Sequence, residues 1–216
     1  NVDGKLNYPS NIYAGSGNDV INLTDNAQDQ GWWGHYIYGE DGDDILTFSS
    51  KSTNSAGNYN FYGDNGDDVI DLSSRTILAD TSGYGGNGDD NLIGNEGYDR
   101  LYGENGDDTI YAGNGDNTVD GGSGNDYLES GNGADQLYGG DDDDIFKAGG
   151  GNDIIYGRNS SSGKGDDGSI DTAVFSGAST DYKLSRATDT NFEYVYYLQD
   201  KREDSPDGLD TLYDID

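Results

Sequence analysis

Aspartates recur in this chain on a nine-residue count. From residue 85 to residue 156, Asp90, Asp99, Asp108, Asp126, Asp135, Asp144 and Asp153 keep one phase, and Asn117 holds the remaining position of that phase. A glycine stands two residues before each of them except Asp144, where Asp142 replaces it, and an apolar residue stands two residues after. A carboxylate on a glycine-rich turn is a hard oxygen donor, and together with the carbonyls of that turn it points to a metal ion. Other chemistry is thinly supplied. Cys is absent and His35 is the single histidine, so a zinc site lacks ligands and a Ser–His–Asp arrangement through His35 has no local signature. The paired carboxylates follow from the repeat, so none reads as a glycosidase pair. No enzyme is expected.

The elements that must carry these aspartates follow from the same count. Residues 85–156 read GGNGDDNLI, GNEGYDRLY, GENGDDTIY, AGNGDNTVD, GGSGNDYLE, SGNGADQLY, GGDDDDIFK and AGGGNDIIY, without insertion or deletion. Three more units lie upstream, AGSGNDVIN at 14–22, GEDGDDILT at 39–47 and GDNGDDVID at 63–71. A fixed short period is the mark of a solenoid. The eighth position is apolar in all eleven units: Ile21, Leu46, Ile70, Leu92, Leu101, Ile110, Val119, Leu128, Leu137, Phe146 and Ile155. Positions seven and nine vary in polarity, as the outward positions of a period-two strand do. A second inward set, Ile12, Ile37, Phe61, Leu101, Val119, Leu137 and Ile155, lapses only at Gly83. Strands of roughly two or three residues between two sheets are expected.

The units resemble the nonapeptide G-G-x-G-x-D-x-U-x of the RTX calcium-binding β-roll family, over residues 14–171. That resemblance implies an all-β, right-handed parallel β-roll, a β-solenoid with stacked calcium-binding turns. In that fold two nonapeptides make one coil, so turns 18 residues apart in this repeat stack on the same edge. The upstream units start at 14, 39, 63 and 85, and each is read as one coil whose far half is a longer loop, at 23–36, 48–60 and 73–83. A tyrosine just before each turn supports this assignment: Tyr13, Tyr38, Tyr62, Tyr84, Tyr102, Tyr138 and Tyr156, broken only by Asp120. The ladder is read as sheet-stabilising cross-strand contact, with a flat binding platform as the alternative. After residue 156 the pattern decays. Residues 1–171 are taken as the roll and 172–216 as a C-terminal β cap, with two longer strands around a turn and a further strand in DGLDTLYDI. An open solenoid end would otherwise expose core and unpaired strand edge.

The resemblance also assigns ligands. Calcium takes roughly six to eight oxygens, more than one turn supplies, so two stacked turns share an ion. The sixth-position carboxylates are Asp19, Asp44, Asp68, Asp90, Asp108, Asp126 and Asp144 on one edge, and Asp99, Asn117, Asp135, Asp153 and Asp171 on the other. Roughly six to ten ions are implied. Asn117 lacks charge, so the gaps beside it should be weaker, and Asp142 puts the geometry of its turn in doubt. The fifth-position acids, such as Asp43, Asp67, Asp89 and Asp107, are read as a solvated face, with outer-shell charge around the ions as the alternative.

With 43 acids against 11 Lys and Arg, the net charge is −32, and only 31% of residues are apolar. A metal-free chain of this kind repels itself and stays expanded. Nucleic acid is excluded as a partner, because phosphate binding needs a basic footprint. No apolar run approaches the roughly 20 residues of a membrane helix, so membrane insertion is not expected. A chain without Cys has no disulfide staple, which fits an extracellular protein held by metal. The first residues, NVDGKLNYPS, do not read as a signal peptide and look like a cut inside a longer protein. RTX resemblance implies export through a type I channel and a place outside the cell or on a bacterial surface. The expected role is a non-catalytic calcium-dependent module of a secreted adhesin, monomeric; an accessory module of a secreted polysaccharide-acting enzyme or protease is the alternative. The loop GWWGHYIY carries Trp32, Trp33 and Tyr36, aromatics that stack on a surface glycan or a host surface, or else cover the core.

Overall fold

A computed structural model describes residues 2–6, 11–25, 34–49, 59–74, 81–158, 170–187, 195–202 and 206–215. The strands in chain order are β1 (Val2–Leu6), β2 (Asn11–Ser16), β3 (Val20–Asp25), β4 (His35–Asp41), β5 (Ile45–Ser49), β6 (Tyr59–Asn65) and β7 (Val69–Asp71). They continue as β8 (Thr81–Asn87), β9 (Asn91–Ile93), β10 (Asp99–Asn105), β11 (Thr109–Gly113), β12 (Thr118–Ser123), β13 (Tyr127–Ser130) and β14 (Gln136–Asp141). The last are β15 (Ile145–Lys147), β16 (Ile154–Tyr156), β17 (Thr172–Ala173), β18 (Tyr182–Ala187), β19 (Val195–Asp200) and β20 (Leu209–Tyr213). Odd-numbered strands β1 to β17 stack into one nine-stranded sheet, and even-numbered strands β2 to β16, followed by β20, β19 and β18, form an eleven-stranded sheet. Pairing between coils is parallel, as in Ile110 opposite Leu128 and Leu101 opposite Val119. The chain is a parallel β-solenoid. Among the described residues no helix is long and apolar enough to cross a membrane.

The core is the apolar stripe expected from the repeat. All eleven eighth-position side chains are buried, at 0–1% exposure. Gly83 leaves no void, because a methyl placed there would meet Leu101 Cδ2 at 3.1 Å. Strands of the even sheet are longer than expected. β10, for example, runs from Asp99 through Asn105, because the parallel ladder continues into the first positions of the next turn.

The upstream loops are shorter than the sequence suggested. β3 and β5 extend to Asp25 and Ser49, while β4, β6 and β8 already begin at His35, Tyr59 and Thr81. Wider coils need more apolar filling; Leu23, Phe48 and Tyr59 provide it from inside the segments expected to be loop, and Leu72 from just before the third. Tyr59 stacks on His35 at 4.7 Å and lies 4.4 Å from Phe48, ring centre to ring centre. Residues 26–33, 50–58 and 75–80 lie outside the described residues.

The last coil corrects the sequence reading of Asp171. That residue is not stacked on Asp153. Its Oδ1 accepts the N–H of Asp144, and β17 pairs with β15, so Asp171 belongs to the first edge. The place above Asp153 is taken by Asp210, from the turn that leads into β20. Two enlarged connections allow this: one between Gly157 and Asp171, the other between β17 and β20, where β18 and β19 form an antiparallel hairpin edge. Within that hairpin region, Arg202 pairs with Asp200 and Asp207 at 2.8 and 2.9 Å, and Ser176 donates to Asp207 at 2.9 Å.

Candidate metal centre

Each turn is closed by its own backbone geometry before any side chain acts. Gly106 sits at φ 134°, in space that L side chains rarely adopt, and its missing Cβ lets the Gly88 carbonyl of the preceding coil approach. Where Asp142 replaces this glycine it takes φ 75°, a conformation Asp tolerates better than most residues. The doubtful turn is kept, and Asp126 N–H still reaches Asp144 Oδ1 at 2.9 Å.

On the first edge, Asp19, Asp44, Asp68, Asp90, Asp108, Asp126, Asp144 and Asp171 form one column. From Asp44 onward, Oδ1 of each accepts the backbone N–H of the aspartate one coil earlier, at 2.7–3.1 Å. The second oxygen is left over. Oδ2 of Asp44, Asp68, Asp90, Asp108, Asp126 and Asp144 is buried and accepts no hydrogen bond. It converges with a carbonyl on the first glycine of its own turn: at Gly103, Asp108 Oδ2 and the Gly121 carbonyl both press into the space a Cβ would fill. The same pairing of carboxylate and carbonyl recurs at Gly39, Gly63, Gly85 and Gly139.

A stack of buried carboxylates is electrostatically unfavourable by itself. Burial raises Asp68 to about 6, Asp90 to about 8, Asp108 and Asp126 to about 7, and Asp144 to about 9. The amide from the preceding coil opposes the shift in each case, and neighbouring carboxylates add to it.

The second edge is shorter and unequal. Its column runs Asp99, Asn117, Asp135, Asp153 and Asp210, each N–H reaching the next Oδ1 at 2.7–3.0 Å. At the Asp99 end the carboxylate is already enclosed by protein. Thr81 Oγ1 donates to Oδ1, and Asn95 donates to Oδ1 from Nδ2 at 3.0 Å and to Oδ2 from its backbone N–H at 2.7 Å. Asn117 Nδ2 donates to the Gly113 carbonyl at 3.2 Å, directing a proton at an oxygen a cation would use. Upstream of Asp99 the same strand position holds Thr81, Tyr59 and His35. Thus the sequence missed two things: the Thr81–Asn95 enclosure and Asp210. The spacing Gly208, Asp210, Leu212 in GLDTL was the available signal for the latter.

The fifth-position acids are not a merely solvated face. Asp89 Oδ1 accepts the Asp107 N–H at 3.0 Å, and Asp107 Oδ1 accepts the Asn125 N–H at 2.8 Å. They tie turns together while staying exposed. Trp32 and Trp33 lie outside the described residues. Tyr36 is exposed on β4, opposite Asn11 and Asn60.

The donor set suits calcium. It is made of hard oxygens, carboxylates with unmet acceptor capacity and carbonyls drawn together between stacked turns. Among the described residues no three His, Cys, Asp or Glu side chains converge on one point, and the oxygens drawn up beside the carboxylates are backbone carbonyls. Comparison with known families agrees. The RTX calcium-binding nonapeptide repeat matches in four copies, at residues 10–25, 36–50, 84–119 and 120–155. No curated protein matches the chain. The chain belongs to the RTX family of calcium-binding nonapeptide-repeat proteins.

Proposed function

We propose that this chain is a non-catalytic module of a secreted bacterial adhesin that folds when it meets calcium outside the cell. The observation that carries this reading is the column of buried Oδ2 atoms without partners, those of Asp44, Asp68, Asp90, Asp108 and Asp144 each drawn up beside a carbonyl of the stacked turn. Asp19, Asp44, Asp68, Asp90, Asp108, Asp126, Asp144 and Asp171 would hold the ions of one edge, and Asp135 and Asp153 those of the other. Asp99 and Asn117 are the weakest of the expected ligands, since their polar atoms already have protein partners. Calcium would supply the positive charge that a net charge of −32 calls for. The protein's own part is to hold one carboxylate oxygen with a backbone amide and keep the other in a dry gap. Residues 172–216 act as the cap, supplying β17 and β20 to the two sheets and covering the end with β18 and β19.

The folding logic follows from affinity. Extracellular calcium near ~10⁻³ M matches the ~10⁻⁴–10⁻³ M dissociation constants of extracellular modules, whereas cytosolic calcium lies far below them. Binding is then folding, and an unfolded acidic chain suits export through a type I channel. Far-UV circular dichroism tests this: the spectrum should be largely disordered in chelator and become β in millimolar calcium. An unchanged β spectrum in chelator would sink the reading. The adhesin part rests on the aromatic segment 31–38 that interrupts the repeat. A glycan array probed with and without calcium should show calcium-dependent binding, and loss of that binding on joint Trp32→Ala and Trp33→Ala replacement. Absence of any glycan signal would favour the accessory-module alternative.

A further inference from the structure

The C-terminal segment contains a unit that the repeat count does not reach. Residues 206–213, PDGLDTLY, lie beyond the last family match at residue 155. In space they occupy a nonapeptide's place. Thr211 N–H bonds the Asp153 carbonyl at 2.8 Å, Leu209 N–H bonds Asn152 Oδ1 at 2.8 Å, and Asp153 N–H bonds Asp210 Oδ1 at 3.0 Å. Each repeats a contact made between true units, such as Gln136 N–H to the Asn117 carbonyl and Asp135 N–H to Asp153 Oδ1, at 2.9 Å each. Gly208 takes a left-handed φ of 69°, and its missing Cβ admits the Gly151 carbonyl, as Gly151 admits that of Gly133. Leu212 joins the core and Tyr213 stacks on Tyr156 at 4.6 Å.

From this we infer a calcium site in the gap between the turn ending at Asp153 and the turn ending at Asp210, so that an ion clamps the last strand, β20, onto the roll. The inference rests on the calcium reading above. Asp153 and Asp210 are both 1% exposed, which removes water as their partner. Asp153 Oδ1 is taken by the Asp135 amide, and its Oδ2 is buried with no hydrogen-bond donor. The carboxylate stacked on it is that of Asp210, whose turn lies against the preceding one closely enough for the Pro206 carbonyl to fill the space beside Gly150. Arg202, a cation in the cap, is engaged with Asp200 and Asp207. Two buried, stacked carboxylates with one oxygen unmet ask for a hard divalent cation.

Native mass spectrometry of the full chain in calcium counts the ions. Asp210→Asn should bind one calcium fewer than the parent while keeping its β spectrum, and hydrogen exchange of Leu209–Tyr213 should speed up at least tenfold. An unchanged ion count would overturn the inference. Should Asp210→Asn fail to fold, the calcium-loaded parent decides by anomalous diffraction. A peak between the Asp153 and Asp210 carboxylates supports the site, and peaks between other turns with none there overturn it. If the parent binds no calcium at all, the calcium reading itself falls, and this site with it.

Discussion

Asp107 and Asp108 are adjacent in one turn, yet they accept amide protons from opposite neighbours. Asp108 Oδ1 takes the N–H of Asp90, one coil before, and Asp107 Oδ1 takes that of Asn125, one coil after. Asp108 is buried with a second oxygen unmet, whereas Asp107 is exposed. Their substitutions should therefore differ in sign as well as size. Asp107→Ala removes an exposed, charge-assisted acceptor and should destabilise the calcium-loaded fold by about 1 kcal/mol. Asp108→Asn keeps an amide acceptor but deletes a buried charge. It should make the metal-free chain easier to fold and the calcium-dependent gain smaller, with a calcium midpoint shifted several-fold upward. Paired calcium titrations read by circular dichroism measure both. Equal midpoints for Asp107→Ala and Asp108→Asn would show that the sixth position is not where the ion sits. The natural Asn117 already shows the amide version of this position, with its Nδ2 turned to the Gly113 carbonyl.

Between elements, the outward tyrosines make a second ladder parallel to the carboxylate columns. Tyr13, Tyr38, Tyr62, Tyr84 and Tyr102 stack in sequence at 4.7–5.0 Å, and Tyr138, Tyr156 and Tyr213 continue at 4.6–4.8 Å. Asp120 stands between the two runs, with its carboxyl raised to about 6 by burial. Asp120→Tyr should join them, stabilising the roll by roughly 0.5–1 kcal/mol through two new cross-strand contacts and the loss of a half-buried acid. Thermal unfolding in saturating calcium checks this, and an unchanged or lower midpoint would show that the ladder does not contribute through stacking. This ladder was legible in the sequence because its period survives every change of coil length, as was the apolar eighth position. The coil edges were harder. His35, Tyr59 and Thr81 occupy the Asp99 position in earlier coils, but no chemical likeness among the four side chains marks them as one column. Asp171 falls on the other edge because counting by nine assumes an unbroken repeat, and the segment between Gly157 and Asp171 is longer than one unit. Asp210 was hidden for the same reason, 57 residues beyond the aspartate it stacks on.

For the molecule as a whole, the proposed calcium sites and the protons of the column carboxyls would draw on one set of oxygens. In the metal-free roll the carboxyls of Asp68, Asp90, Asp108, Asp126, Asp135, Asp144, Asp153 and Asp210 sit above their ordinary value of 3.8, from about 6 at Asp68 and Asp135 to about 9 at Asp144. Burial is the leading cause, so the folded roll favours the protonated, uncharged acid. A carboxyl whose folded pKa is raised contributes stability that is fully present below the unfolded value and is lost as pH rises through the folded one. The metal-free chain should therefore gain structure as pH falls from about 9 towards about 4, and lose it over the same window on the way back. Calcium reverses the preference, because it needs the same groups deprotonated. Its midpoint concentration should rise as pH falls from 8 to 6, roughly in step with the protons displaced per ion. A series of circular dichroism titrations at fixed ionic strength, with a chelator arm at each pH, separates the two effects. A metal-free spectrum indifferent to pH across this window would mean that the columns are not buried as carboxylates before calcium arrives. On the calcium reading proposed above, the acidic chain is expected to stay open when calcium is scarce and the carboxyls are ionised. With neither proton nor ion bound, the net charge of −32 over the chain, with its columns of stacked carboxylates, opposes closure of the coils.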